Sequence, residues 1–513
     1  MNQFKEAIFQ RGMTQEQNAE RYKQNVAIGA RFYKTAFLPT LIYAIIFGIL
    51  IYDNYASITM PVFAVVTIIY CAFMIKKIEV PWKMGNVFYM ITLFLLGIAT
   101  FLTGNHYIQL LNYAAFLLML VSMLVHQFYD DKKWGMGKYL GAVLFSIFGS
   151  VSCWGRPFSE GHAYRRAQRN LRANGEGKPS NLGHIIRGLF LSIPFVIILG
   201  YCLTTADKVF YSIMHSFGFD FNLVSFLGRV FFIFAAFVFA YAGIRFISLE
   251  NYDDVVKEPK KANPISAMTF VTVLDILYLI FSLIQVTCLF MGGKLPEGVT
   301  YAEYARTGFF QLLFVCFANL VIVLFIKNFT ENTAWLKILL LIFNACTFVM
   351  LASSAYRMML YIQVYYLTFL RVFVLVALTL IGALLLGVTI YIFTDKFPMF
   401  KYGLICVTLI YLAFAFARVD YIIADYNLAR VELTINEDNG RDPFKIPGNN
   451  NLEYYSGLST DAAPAIKEHE EGLGASGRLL AIRYRQNHKE EFERDDFWHY
   501  NMSVHKAAEL FEE

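Results

Sequence analysis

A carboxylate in the middle of an apolar helix is the first feature of this sequence that could do chemistry. Between Thr269 and Ile326, Thr272, Asp275, Tyr278, Ser282 and Gln285 recur at spacings of three and four, which on a helix makes one polar stripe along an apolar rod. Asp275 sits near the middle. An ionised carboxylate at the bilayer centre costs ~3 kcal/mol and persists mainly when paired or lining water. Two chemistries follow from that cost. As a relay, Asp275 would pass a proton or a cation. As a clamp, it would pair with Arg229 or Arg357, or stay protonated and hydrogen-bonded to Tyr278 or a neighbouring helix.

Two further groups flank this stripe. MGGKLPEGVT ends the helix with two glycines and a proline, Thr300 and Glu303 stand in capping-box spacing, and Glu303 can pair with Arg306 at the water boundary. Further on, RMMLYIQVYYLTFLR places Arg357, Tyr361, Tyr365 and Thr368 on one helical face with Arg371 at its end. That pattern reads as an amphipathic boundary helix, serving either as an ordinary Tyr/Arg anchor or as a contact for lipid headgroups or an anionic solute. Arg229 and Arg245 lie near segment ends and are expected to reach water there. The cluster Arg165, Arg166, Arg169 and Arg172 sets topology or docks anionic lipid or a cytoplasmic partner.

Other signals fail their context. GLGASG at Gly472 follows the charged run KEHEE with no strand before it, so it is no dinucleotide fingerprint. The tail histidines 469, 488, 499 and 505 lack ligand spacing, and no HExxH, Walker loop or GxSxG occurs. No metal, cofactor or recognisable catalytic motif is expected. The seven cysteines stand singly in apolar stretches and read as packing residues.

The elements that must hold these groups are membrane helices. Of 513 residues, 57% are hydrophobic and 16% charged, and the mean hydropathy of +0.48 makes the chain an all-α polytopic helix bundle with a small helical soluble tail. Residues 1–34 are polar, lack a signal-peptide core and are expected in the cytoplasm. Residues 35–128 give four spans as two hairpins. Residues 129–184 hold a short apolar segment, Tyr139 to Trp154, then the basic loop; if that segment crossed, the loop would lie outside, so it reads as re-entrant or interfacial. Residues 185–418 supply seven more, making about eleven spans by the ~20-residue criterion. Residues 419–513 form an acidic tail, helical at ADYNLARVEL and over Leu452 to Glu468, with Thr460 or Asp461 placed to cap and Pro464 in the first turn. Lys76, Lys77, Lys83, Lys132, Lys133 and Lys138 define the cytoplasmic face, leaving the tail outside. The net charge of +5 reflects this bias, and no nucleic-acid partner is implied.

IQVTCLFMGG, TYAEYARTGFFQLLF, RMMLYIQVYYLTFLR, ADYNLARV and LEYYSGLSTDAAPAI, in that order from about Ile185 to the tail, resemble the bacterial multi-pass membrane proteins of domain-of-unknown-function family 4173 and its neighbour 4153. The resemblance implies a bacterial plasma-membrane protein and carries no catalytic residues. At Tyr366 the chain departs from it, a glycine being expected there.

Three functions fit these observations. The first is transport or handling of a small or lipid-linked solute through a polar cavity built from the Asp275 stripe, with Arg357 at the outer mouth. The second is a non-catalytic scaffold or signalling subunit whose tail recruits an envelope protein. A membrane enzyme on lipid-linked substrates is the third, and the sequence offers it no nucleophile or paired carboxylates.

Overall fold

The computed structural model describes residues 15–54, 56–131, 134–173, 199–216, 223–249, 261–287, 308–394, 396–437, 452–494 and 497–512, with residues 188, 192, 195 and 196. Among these the chain is helical, and its β structure is one isolated bridge between Ala262 and Thr330. Helices satisfy every backbone group internally, which hydrocarbon demands.

Helices α1 (Gln15–Ile51), α2 (Thr59–Lys77), α3 (Asn86–Leu102) and α4 (His106–Phe128) pack in sequence. Asn105 starts α4 by accepting from the N–H groups of Tyr107 and Ile108. The Lys83 ammonium donates to the carbonyls of His126 (2.6 Å) and Tyr129 (2.5 Å), so the start of α3 and the finish of α4 share one end of the bundle. Lys76 and Lys77 close α2 there as well. We call it the basic end.

Next come α5 (Met136–Gly149), a 3₁₀ turn at Ser150–Cys153, α6 (Arg156–Ala173), α7 (Lys208–Ser216) and α8 (Leu223–Leu249). Both ends of α5 meet the basic end. Near its start Tyr139 donates to the Ser122 carbonyl at 2.9 Å, and its last residue, Gly149, backs onto Phe246 of α8. The neighbouring Ile247 carbonyl accepts from the Tyr129 hydroxyl on the far side of α5. Helix α6 then folds along the first half of α1 and carries Glu160 onto α8, where it accepts from Arg245 Nε and the Tyr241 hydroxyl, each at 2.7 Å. Arg245 is thus buried and paired; the fold-back of α6 covers the helix end from which it would have reached water.

The second half comprises α9 (Pro264–Gln285), α10 (Phe309–Phe329), α11 (Ala334–Tyr365), α12 (Phe369–Phe393) and α13 (Met399–Phe416). Asn263 and Pro264 begin α9, and Thr333 caps α11. The two halves join where Tyr411 of α13 donates to Asn112 of α4 at 2.7 Å. Nine helices among the described residues are long and apolar enough to cross a bilayer, namely α2, α4, α8 to α13 and the Val26–Ile51 part of α1. The chain is a multi-pass integral membrane protein.

The amphipathic boundary helix does not exist as a separate element. Its first half continues α11, because no breaker lies between Tyr356 and Tyr365, and its second half begins α12. The break falls at Tyr366, whose φ of 65° lies in the left-handed region that favours glycine. The position where the resemblance leads one to expect a glycine is thus one of positive φ.

The tail is α14 (Val419–Glu437), α15 (Leu452–Ser456), α16 (Ala463–Glu468), α17 (Gly474–Asn487), α18 (Lys489–Phe492) and α19 (Met502–Glu512). Pro464 begins α16 as expected from its ring-fixed φ. Tyr455, Ile466, Leu480 and Tyr484 are almost wholly buried in one cluster that continues into Val374, Leu378 and Phe414 of the membrane helices. At ~1.5–3 kcal/mol per fully buried large apolar side chain, that shared core fixes the tail to the bundle, at the end opposite the basic one.

Candidate intramembrane polar site

Helix α9 turns one narrow face to α11, and the residues buried on it are Val271, Asp275, Ser282 and Gln285, with Tyr278 half-buried. Spacings of four, three, four and three keep such a line on one side of a helix. Thr272 falls off it: the side chain is exposed, and its hydroxyl donates back to the Met268 carbonyl at 2.8 Å. The polar stripe is therefore four residues, and Val271 takes the fifth place.

Asp275 is 3% exposed, and neither carboxylate oxygen finds a hydrogen-bond partner among the described residues. Its expected clamp partners are engaged elsewhere. Arg229 pairs with Asp53 at 3.5 Å, Arg357 donates to Gln285 Oε1 at 3.1 Å, and Tyr278 donates to Asn319 Oδ1 at 2.9 Å. Cys346 of α11 lies near Asp275 and within hydrogen-bonding reach of the Ser282 hydroxyl. The site thus offers an acceptor-only carboxylate and a hydroxyl, a pair suited to a proton, a cation or a donor group on a solute.

Toward the tail end, Gln285 accepts from Ser353 Oγ at 2.7 Å as well as from Arg357, and Arg357 is 6% exposed. Ten residues of helix separate Asp275 from Gln285, about 15 Å. At that spacing and an effective dielectric of ~20, opposite charges attract by only about 1 kcal/mol. The carboxylate and the guanidinium are two ends of a polar line, not an ion pair.

The other expected contacts sort differently. Arg371 is buried, spends Nη1 on the carbonyls of Tyr365 and Tyr366, and lies 4.4 Å over the Tyr361 ring, which in turn touches Tyr365. Those Nη1 donors hold the α11–α12 break together, because the left-handed turn directs two carbonyls at one side chain. Glu303 and Arg306, with Thr300, lie outside the described residues.

Sequence reasoning missed the partners on the facing helices. Ser353 precedes Arg357 by one turn in α11, a spacing that could have flagged it; Asn319 and Thr347, bonded to each other at 3.0 Å, extend the Tyr278 contact across α10 and α11. A second buried cluster was also missed. Asp461 does not cap α16. It accepts from Thr103 Oγ1 (2.5 Å), the Gly104 N–H (3.0 Å) and Ser503 Oγ (2.5 Å), and so ties the tail to the α3–α4 loop. Beside it Asp420 accepts from Asn105 (2.8 Å) and Ser459 Oγ (2.6 Å), while Asn501 donates to the Ala56 carbonyl at 2.6 Å. Burial pushes the Asp461 carboxyl above its ordinary 3.8, against the lowering effect of those three donors.

Among the described residues no group of three or more His, Cys, Asp and Glu side chains could hold a metal ion, and the cysteines there form no disulfide. A sequence profile described as a domain of unknown function, DUF4153, matches residues 90–469. No curated protein and no solved structure matches the chain.

Proposed function

The chain belongs to the DUF4153 family, the neighbour named in the resemblance above, and from that premise we propose that it moves or handles a small or lipid-linked solute at the polar line between α9 and α11. One observation carries the reading. A buried carboxylate without a protein partner among the described residues is costly in a bilayer, and the cost is offset when the group meets a proton, a cation or a solute donor. Arg357 and Gln285 then form the outer limit of the line, where an anionic or amide-bearing part of the solute would be read.

Orientation follows from charge. We assign the basic end, with Lys76, Lys77, Lys83, Lys138 and the arginines of α6, to the cytoplasm of a bacterial plasma membrane, and the tail to the outside. The scaffold reading is less well supported, because the tail is docked on its own membrane loops instead of extending toward an envelope partner.

The test is native mass spectrometry of the full-length protein extracted with its surrounding lipid, beside Asp275→Asn. A solute or lipid-linked species retained by the wild type and lost from the variant at unchanged Tm is the expected result. Unfolding of Asp275→Asn would make the residue a clamp, and a stoichiometric protein partner without any solute would replace this reading by the scaffold.

A further inference from the structure

A cavity of about 600 Å³ lies in the other half of the bundle, between α1, α2, α4, α5 and α8, away from Asp275. Its walls are mostly aromatic and aliphatic, among them Phe47, Phe63, Phe116, Phe232 and Ile244. Of the hydroxyls on its lining, Tyr43 bonds Thr67 (3.1 Å), Tyr70 bonds Thr40 (2.8 Å), and Ser146 and Ser150 donate to the Ala142 and Ile147 carbonyls (2.7 Å each). A space lined in this way offers little to a polar solute or ordered water.

Its shape narrows the occupant. The lining on α8 runs from Phe232 to Ile247, which at the helical rise spans about 22 Å. Spread over that length, the volume makes a long, narrow slot with room for a hydrocarbon chain at van der Waals spacings of ~4 Å. Leu117 of α4 and Phe239 of α8 line it while 49% and 53% exposed, so it opens sideways toward the bilayer. At the tail end the wall finishes at Ile51 and Phe232. One turn beyond Phe232, the half-exposed Arg229 lies 5.1 Å over the Tyr52 ring and pairs at 3.5 Å with the exposed Asp53, a surface contact that a phosphate at the rim would share or displace.

We propose that this slot is a binding site for one acyl chain of a membrane glycerophospholipid, whose phosphate meets the Arg229 guanidinium at the rim. The medium around a membrane helix is acyl chain, so the slot and its occupant share one phase, and the selectivity comes from width and from the cation at one end. The site stands independently of the Asp275 line.

Gly243 provides the test. It lines the slot, and a Cβ built there meets nothing within 4 Å, so Gly243→Leu fills the space while raising helix propensity. The full-length protein is placed in phosphatidylglycerol vesicles doped with phosphatidylglycerol carrying a diazirine on its acyl chain, then photolysed and mapped by mass spectrometry. Adducts should concentrate on residues 113–124 and 232–247 relative to the lipid-facing Phe314, which is 70% exposed. Gly243→Leu should lower them roughly tenfold, equivalent to about 1.4 kcal/mol, and leave those at Phe314 unchanged. Gly141→Leu, which also adds bulk where nothing lies within 4 Å but outside the slot, should match the wild type. Equal adducts in slot and at Phe314, or a Gly243→Leu pattern like that of Gly141→Leu, would overturn the proposal.

Discussion

Asp461→Ala should loosen the dock between tail and bundle while leaving the membrane helices folded. The substitution leaves the Gly104 N–H and two hydroxyls, on Thr103 and Ser503, facing a methyl group. An orphaned buried donor costs ~1–3 kcal/mol, and the hydroxyls can turn to other acceptors, so the loss should be about 3 kcal/mol in all. Asp461→Asn should be milder, about 1 kcal/mol, because burial already disfavours the charge and the amide keeps one acceptor in place. The assay is amide hydrogen exchange of the full chain in nanodiscs, read at Ile58, whose N–H donates to the Tyr500 carbonyl at 2.9 Å and so reports docking directly. A loss of 3 kcal/mol corresponds to exchange faster by about 100-fold or more if opening is local. The amide of Tyr139 at the basic end should keep its wild-type rate. Wild-type protection at Ile58 in a folded Asp461→Ala protein would refute the assignment of Asp461 as the tie between tail and bundle.

Three other outcomes follow. Burial alone would lower the pKa of His469, but the hydrogen bonds its ring donates to Glu432 (2.9 Å) and Asp425 (3.2 Å) and the charges of those carboxylates raise it above 6.5, so its contribution to the α14–α16 contact is full below pH 6.5 and lost as pH rises through the folded value; His469→Gln should flatten that dependence in hydrogen exchange of α16. Tyr366→Gly should be more stable than Tyr366→Ala by about 1 kcal/mol, since both lose the ring and only alanine keeps the left-handed strain at φ 65°; thermal unfolding of the two side by side decides it. With the exposed Cys202 replaced by serine, a cysteine at Ala475 should react with an impermeant thiol reagent in intact cells and one at Ala167 on α6 should not; the reverse pattern would invert the orientation.

Much of the bundle could be read from apolar length. Among the four spans expected over residues 35–128, α2 forms over Thr59–Lys77, and Asp275 lies on the buried face of α9 because its spacing to Ser282 and Gln285 matches the helical period. Thr272 falls outside the buried line because spacing defines a stripe while the neighbouring helix defines how wide a stripe is covered, and α11 covers a narrow one. The expected boundary helix begins at Arg357 because Arg357, Tyr361, Tyr365 and Thr368 share one helical face. In the structure the Arg357 charge is satisfied inward, by Gln285. The tail dock was beyond local reading, since Thr103 and Asp461 are 358 residues apart and neither sits in a periodic pattern that demands a partner.

The tail and the polar line meet on α11, and the contacts that join them are continuous. Asn427 of α14 bonds both backbone groups of Leu367, accepting from its N–H at 2.7 Å and donating to its carbonyl at 2.9 Å, while Arg371 holds the carbonyls just before it. The helix that ends in this clasp carries Arg357 and Ser353, eight and twelve residues back from Tyr365, or about 12 and 18 Å down the axis. A left-handed tyrosine is a strained choice for a turn, costing ~1–2 kcal/mol, and it persists where surrounding bonds over-determine the backbone. Here those bonds come from α12 and from the tail. The tail thus braces the turn that ends α11, about 12 Å along the helix from Arg357, while Arg357 itself is held by Gln285 within the membrane helices.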